Sequence, residues 1–102
     1  MERFEELKKT ILPVLLPYGV RRIAIFGSTA RGEETPESDI DILVLFEEPR
    51  RKPLSLLTWV RLEEELSESL GRKVELVSES ALSRHIRPYV EKERVIIYES
   101  EG

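Results

Sequence analysis

Val20-Arg21-Arg22-Ile23-Ala24-Ile25-Phe26 runs into Gly27-Ser28-Thr29-Ala30-Arg31-Gly32. After a short Pro-containing stretch the chain continues as Ser38-Asp39-Ile40-Asp41-Ile42-Leu43-Val44-Leu45-Phe46. The first and last pieces are β-branched and apolar, as buried strands are. The middle piece is a glycine hinge that opens a short helix. Asp39 and Asp41 are the only aspartates in the chain, against eighteen glutamates. On a strand, residues i and i+2 point to one face, so the two carboxylates project side by side from a segment that otherwise reads as buried. Like charges that close raise each other's pKa, and a divalent cation relieves the repulsion. A metal site is the expectation.

The hinge supplies a complementary chemistry. Ser28 offers a hydroxyl, and Arg31, about one turn on, offers a forked cation that matches phosphate oxygens. Gly27 and Gly32 permit close backbone approach to a ligand, and free N–H groups at a helix start suit an anion. Alone, the loop reads as an ordinary strand-to-helix turn. It is neither a Walker loop nor a dinucleotide fingerprint, because neither glycine pattern is present. Its spacing to the aspartates is what gives it weight: a phosphate cradle and a carboxylate pair are the two halves of a metal–nucleotide site.

Length and composition set the frame. The 102 residues are 40% apolar and fit one domain over residues 1–102. The net charge of −4 does not suit a general nucleic-acid binder, which needs a basic surface. The absence of cysteine excludes disulfides, thiolate metal sites and cysteine nucleophiles, and it fits a reducing cytoplasm. No signal-peptide pattern opens the chain, and no apolar stretch is long enough to span a membrane. Abundant Glu and Arg without Asn or Gln suggest a thermophilic source.

Phe4, Leu7, Ile11 and Leu15 at helical spacing predict a helix over residues 3–16, loosened by Pro13 and stopped at Pro17-Tyr18-Gly19. Strands are expected over Val20–Phe26, Asp39–Phe46, Lys73–Val77 and Arg94–Tyr98, and Glu47–Pro53 reads as a charged turn. Leu56, Trp59, Leu62, Leu66 and Leu70 predict an amphipathic helix over Leu54–Leu70 capped by Gly71. Ser80 is expected to cap a helix towards Glu93, bent or shortened at Pro88. The alternation indicates an α/β (α+β) fold, a small mixed sheet flanked by helices. His85, the sole histidine, reads as a surface residue and Trp59 as core. Arg21-Arg22 and Arg50-Arg51-Lys52 read as solvated strand ends and turns, and Tyr18, Tyr89 and Tyr98 as packing residues.

Gly27-Ser28, ten residues, then Asp39-Ile40-Asp41 resembles the Gly-Ser-x10-Asp-x-Asp signature of the DNA polymerase β-like nucleotidyltransferase superfamily. The fuller run, with Ala30-Arg31-Gly32 and Ser38 through Val44, is similar to the minimal nucleotidyltransferases, the MNT antitoxins paired with HEPN toxins. That resemblance implies the nucleotidyltransferase fold and a third acidic ligand in a Val-Asp-Leu-Val-like run. The matching run here is Val74-Glu75-Leu76-Val77, with Glu75 in place of the usual aspartate. The resemblance further implies one or two Mg2+ ions on Asp39, Asp41 and Glu75. Nucleotide, typically ATP, would lie on Gly27, Ser28 and Arg31, and AMP would pass to a hydroxyl of a HEPN-type RNase toxin. The chain lacks the toxin's own Arg-x4–6-His motif and so matches the antitoxin side. Because glutamate is one methylene longer than aspartate and Mg2+ demands near-ideal geometry, a second reading is an antitoxin that neutralises its partner by binding, with a weakened catalytic centre. A third is a nucleotide-binding regulatory module without a protein partner.

Overall fold

Helices and strands alternate along the chain. The computed structural model describes residues 2–33, 35, 37–47 and 54–100. Helix α1 (Glu2–Leu15) runs through Pro13 into a 3-10 turn (Leu16–Tyr18), and β1 (Val20–Phe26) follows. Then come α2 (Ser28–Arg31), β2 (Ile40–Phe46), α3 (Leu56–Leu70) and β3 (Val74–Ser78). A second 3-10 turn (Glu79–Ala81), α4 (Arg87–Glu93) and β4 (Val95–Glu99) complete it. The four strands form one sheet in the order β3-β2-β1-β4. β1 pairs antiparallel with β2 and β4, while β2 and β3 run parallel. This is the mixed sheet flanked by helices that the pattern predicts.

One sheet face meets α1 and α3. Ile23 and Ile25 of β1, Ile40, Ile42 and Val44 of β2, and Val74 and Leu76 of β3 pack with Leu7, Ile11 and Leu15 of α1 and Leu62 and Leu66 of α3. Alternation sends Asp41 and Leu43 of β2 and Glu75 of β3 to the opposite face. That face is covered too, since Ala24 and Leu43 are fully buried and the turn after β3 packs against β2. Buried Glu79 fastens this cover. Its Oε1 accepts from Arg22 Nη1 at 2.7 Å and from Arg94 Nη1 at 3.0 Å. Arg22 also donates from Nε to Glu99 Oε2 at 2.9 Å. Arg22 is therefore a structural cation and not a solvated strand end.

Helix α3 seals the free side of β3. Val74 N donates to Ser67 Oγ (2.9 Å) and Leu76 N to Glu63 Oε2 (2.8 Å), while Trp59 Nε1 donates to the Leu76 carbonyl (3.2 Å). Trp59 is thus half-buried against the core with its polar tip satisfied.

Three expectations need correction. The Ser80–Glu93 helix does not form as one piece. Ser80 lies in the 3-10 turn with its hydroxyl 2.9 Å from that of Ser78, and Pro88 sits in the first turn of α4, where its missing N–H costs nothing. The expected helix is thus shortened to Arg87–Glu93, with Pro88 at its start, and is not bent. Helix α3 begins at Leu56 because Ser55 Oγ accepts from Thr58 N. This places Leu56 at 80% exposure, off the core face. Tyr18 and Tyr98 pack on the core, but Tyr89 is exposed, as is His85. Most of the expected charged turn, residues 48–53, lies outside the described residues. Among the described residues, no helix is long and apolar enough to cross a membrane.

Leu66 is fully buried between α3 and the sheet. Leu66→Ala is expected to lower unfolding free energy by about 2–5 kcal/mol, read from the denaturant midpoint at unchanged slope.

Candidate active site

The site forms where β1 ends beside the start of β2. Phe26, the last residue of β1, is the ladder partner of Asp41. The chain must turn away at once into α2, and Gly27 does so at φ 76°, ψ −153°, a conformation available essentially to glycine alone. Its missing side chain serves a second purpose: a Cβ there would overlap the Asp41 carboxylate, whose Cγ would lie 3.4 Å away. The hinge backbone therefore rests directly on the acid. The single turn of α2 is closed by Arg31 N donating to Gly27 O at 3.2 Å and Glu33 N to Ser28 O at 2.9 Å.

Asp41 is also the ladder partner of Glu75 in the parallel β2–β3 pair. Paired residues project to the same face, so the two carboxylates stand side by side. Asp39 was expected within the second strand, but β2 begins at Ile40 and Asp39 is the last residue before it. The backbone bonding of β2 to the β3 side starts one residue later, where Ile40 N donates to Lys73 O at 2.9 Å. Asp39 still acts on Asp41. Burial pushes the Asp41 carboxyl above the usual carboxylate range, the charges of Glu75 and Asp39 push it further, and Arg31 opposes them. Glu75 is exposed, whereas Asp39 and Asp41 are half-buried.

Arg31 leans on two exposed glutamates, with Nε 2.6 Å from Glu33 Oε1 and Nη1 3.2 Å from Glu93 Oε2. The hydrogen bond to Glu33 is the main reason its pKa is raised. Exposed pairs of this kind are weak, so an incoming phosphate can displace them. Thr29, within the same turn, is buried with its hydroxyl unpartnered among the described residues.

The geometry thus brings Gly27, Asp39, Asp41 and Glu75 together and sets Arg31 within electrostatic reach. Among the described residues, no three acidic or imidazole side chains converge at ligand distances. The carboxylates are neighbours and not a closed ligand set. Their donor chemistry, hard oxygens around a like-charged pair, suits a hard divalent cation, and the exposed Glu75 is the member with most freedom to complete the coordination. The residue that the sequence reading missed is Arg72, described below.

A family model described as a nucleotidyltransferase domain matches residues 5–98. The chain belongs to the nucleotidyltransferase domain family. A Methanocaldococcus jannaschii protein named as a candidate protein adenylyltransferase is 43% identical over 90 residues, 88% of this chain and 92% of that one. The protein adenylyltransferase MntA of Thermococcus cleftensis is 46% identical over 80 residues, 78% of this chain and 77% of that one. A solved structure of a candidate minimal nucleotidyltransferase superposes with a TM-score of 0.73 at 37% identity, covering 92% of each chain. A toxin–antitoxin complex with AMP-PNP shares the fold at 24% identity and a TM-score of 0.76, over 92% of this chain and 74% of that one. So does a complex of tri-AMPylated Shewanella oneidensis HEPN toxin with MNT antitoxin, at 22% identity and a TM-score of 0.69, over 96% and 74%. This nucleotidyltransferase enzyme brings Gly27, Ser28 and Arg31 to the junction of β1, α2 and β2, with Asp39 just before β2 and Asp41 within it.

Two outcomes follow from the site of this nucleotidyltransferase. Gly27→Ala forces both the strained φ and the overlap with Asp41, and is expected to cost about 1–3 kcal/mol or more of stability in denaturant unfolding. An Asp41→Ala background should return part of that loss. The raised pKa of Asp41 means that the folded state binds the proton more tightly than the unfolded chain. Stability therefore falls as pH rises from the ordinary carboxylate range through the raised value. Asp41→Asn is expected to raise Tm at neutral pH, with the gain shrinking as pH drops below that window.

Proposed function

We propose that this nucleotidyltransferase transfers AMP from ATP to a hydroxyl of a partner protein, and that the partner is a HEPN-type RNase toxin which the transfer silences. The observation that carries the reading is the Asp41 carboxylate, pressed against the Gly27 backbone on one side and in register with Glu75 on the other. A nucleotide's phosphates on the hinge would lie next to carboxylates able to hold a cation. The relatives named as protein adenylyltransferases support the AMP and protein parts of the proposal, and the toxin–antitoxin complexes that share the fold support the partner.

In this reading Asp39 and Asp41 hold one or two Mg2+ ions, with Glu75 completing the set. Bound metal supplies charge neutralisation and Lewis acidity. The backbone of Gly27, the Ser28 hydroxyl and the Arg31 guanidinium hold the β- and γ-phosphates, Arg31 exchanging Glu33 and Glu93 for phosphate oxygens. The acceptor hydroxyl bonds to the α-phosphorus as the bond to the β-phosphate oxygen breaks, and pyrophosphate leaves. Glu75 takes the hydroxyl proton. Most of the rate gain comes from positioning and neutralised charge, as phosphoryl chemistry requires. The chain would work in the cytoplasm, beside its partner and without touching nucleic acid itself.

A second reading rests on one observation, that Arg31 is engaged by two glutamates, and on what the resemblance implies, that Glu75 takes the place of an aspartate. It holds that the protein neutralises its toxin by binding alone.

Incubation of the protein and its cognate toxin with α-labelled ATP and Mg2+ separates the two. Label on the toxin, lost on chelation and lowered by more than about a hundredfold in Asp39→Asn and in Asp41→Asn, is the expected result. A folded toxin that stays unlabelled while its RNase activity is blocked would establish neutralisation by binding.

A further inference from the structure

Arg72 lies in the connection between α3 and β3, outside the family's signature, yet its guanidinium reaches across to the turn that delivers Asp39. Its Nη2 donates to the carbonyls of Thr35 at 2.7 Å and Ser38 at 2.6 Å, and its Nε donates to Ser38 O at 3.1 Å. The turn is also tied internally. Ser38 N donates to Thr35 O at 3.0 Å, and Thr35 N donates to Ser38 Oγ at 2.8 Å. One planar fork thus holds the carbonyls of Thr35 and Ser38 together. The second carbonyl it holds belongs to the peptide bond that joins Ser38 to Asp39.

We propose that Arg72 is the positioning residue for Asp39, fixing the 35–38 turn so that the Asp39 carboxylate faces Asp41 and Glu75 as part of one cation-binding set. Asp39 needs such a device. It stands before β2 begins, so the sheet ladder that orients Asp41 and Glu75 does not orient it. The neighbouring bond from Ile40 N to Lys73 O ties the next residue to the same connection. Arg72 and Lys73 therefore lock the entry to β2 against β3. A lysine would not replace the fork, because a single ammonium lacks the fixed planar pair of donors that two carbonyls at this spacing accept from.

This inference rests on the metal-binding reading of Asp39, Asp41 and Glu75, and its test separates the two. Mn2+ is titrated into the protein without nucleotide, and paramagnetic broadening of the amide signals of residues 38–41 reports binding. Arg72→Ala is expected to raise half-saturating Mn2+ about tenfold, the usual effect of losing a residue that orients a ligand. Arg72→Lys should fall between Arg72→Ala and the unmutated chain, and it serves as the measured variant if the alanine form does not fold. Ser67→Ala is the control. It removes the acceptor for Val74 N and so loosens the same α3–β3 connection without touching the 35–38 turn. It should leave Mn2+ affinity unchanged. Unmutated affinity in Arg72→Lys, or an equal loss in Ser67→Ala, overturns the role of Arg72 and leaves the site assignment standing. Absence of broadening in the unmutated chain overturns the site assignment, and this inference with it.

Discussion

Asp41 and Glu75 stand shoulder to shoulder because β2 and β3 run parallel with those two residues in register. The same strand places Asp41 opposite Phe26, so that the chain leaving β1 must pass over the acid as backbone without a side chain. Gly27, the single turn of α2 and the placement of Arg31 are consequences of that crossing. The arrangement is costly in isolation, since burial and like charge both work against an ionised Asp41. Local instability of this kind concentrates at functional sites, where a ligand supplies what the protein lacks.

The apolar face opposite bears the load. Two helices bury the even-numbered side of β2 completely, and this holds the odd-numbered side in place for chemistry. At the far end of the site's face, Glu79 draws Arg22 and Arg94 together beneath the turn after β3. Charged groups at the two ends of one face have opposite characters. Around Glu79 opposite charges pair through Oε1 and are structural, and around Asp41 like charges repel.

The sequence carried most of this in its local pattern. The strands, the long helices and the Gly27-Ser28 to Asp39 spacing were readable because burial alternation and glycine placement are properties of neighbours. What escaped reading depends on distant partners. Arg22 looks like a solvated cation until the chain returns to it at Glu79. Arg72 looks like flanking charge because the carbonyls it holds lie 34 to 37 residues earlier. Leu56 fits the helical period of α3 loosely and is still exposed, since the buried stripe of the helix runs through Trp59, Leu62 and Leu66 to one side of it. Pro88 was read as an interruption and acts as a beginning, because nothing local shows that the chain before Arg87 is not helical.

The seal that α3 places along β3 has a bearing on how the sheet assembles. Glu63, Ser67 and Trp59 bond to Val74 and Leu76 from fewer than twenty residues away, so helix and strand can come together as one local unit. Such a unit offers other strands a single row of unpaired amides, and β3 can join only at the border of the sheet and only by that row. Sliding the strand along β2 by one residue pair would either break its three bonds to the helix or drag Leu62 and Leu66 out of the core. The alignment of Glu75 with Asp41 thus depends on how α3 and β3 together pack on the sheet, through apolar groups that take no part in the chemistry.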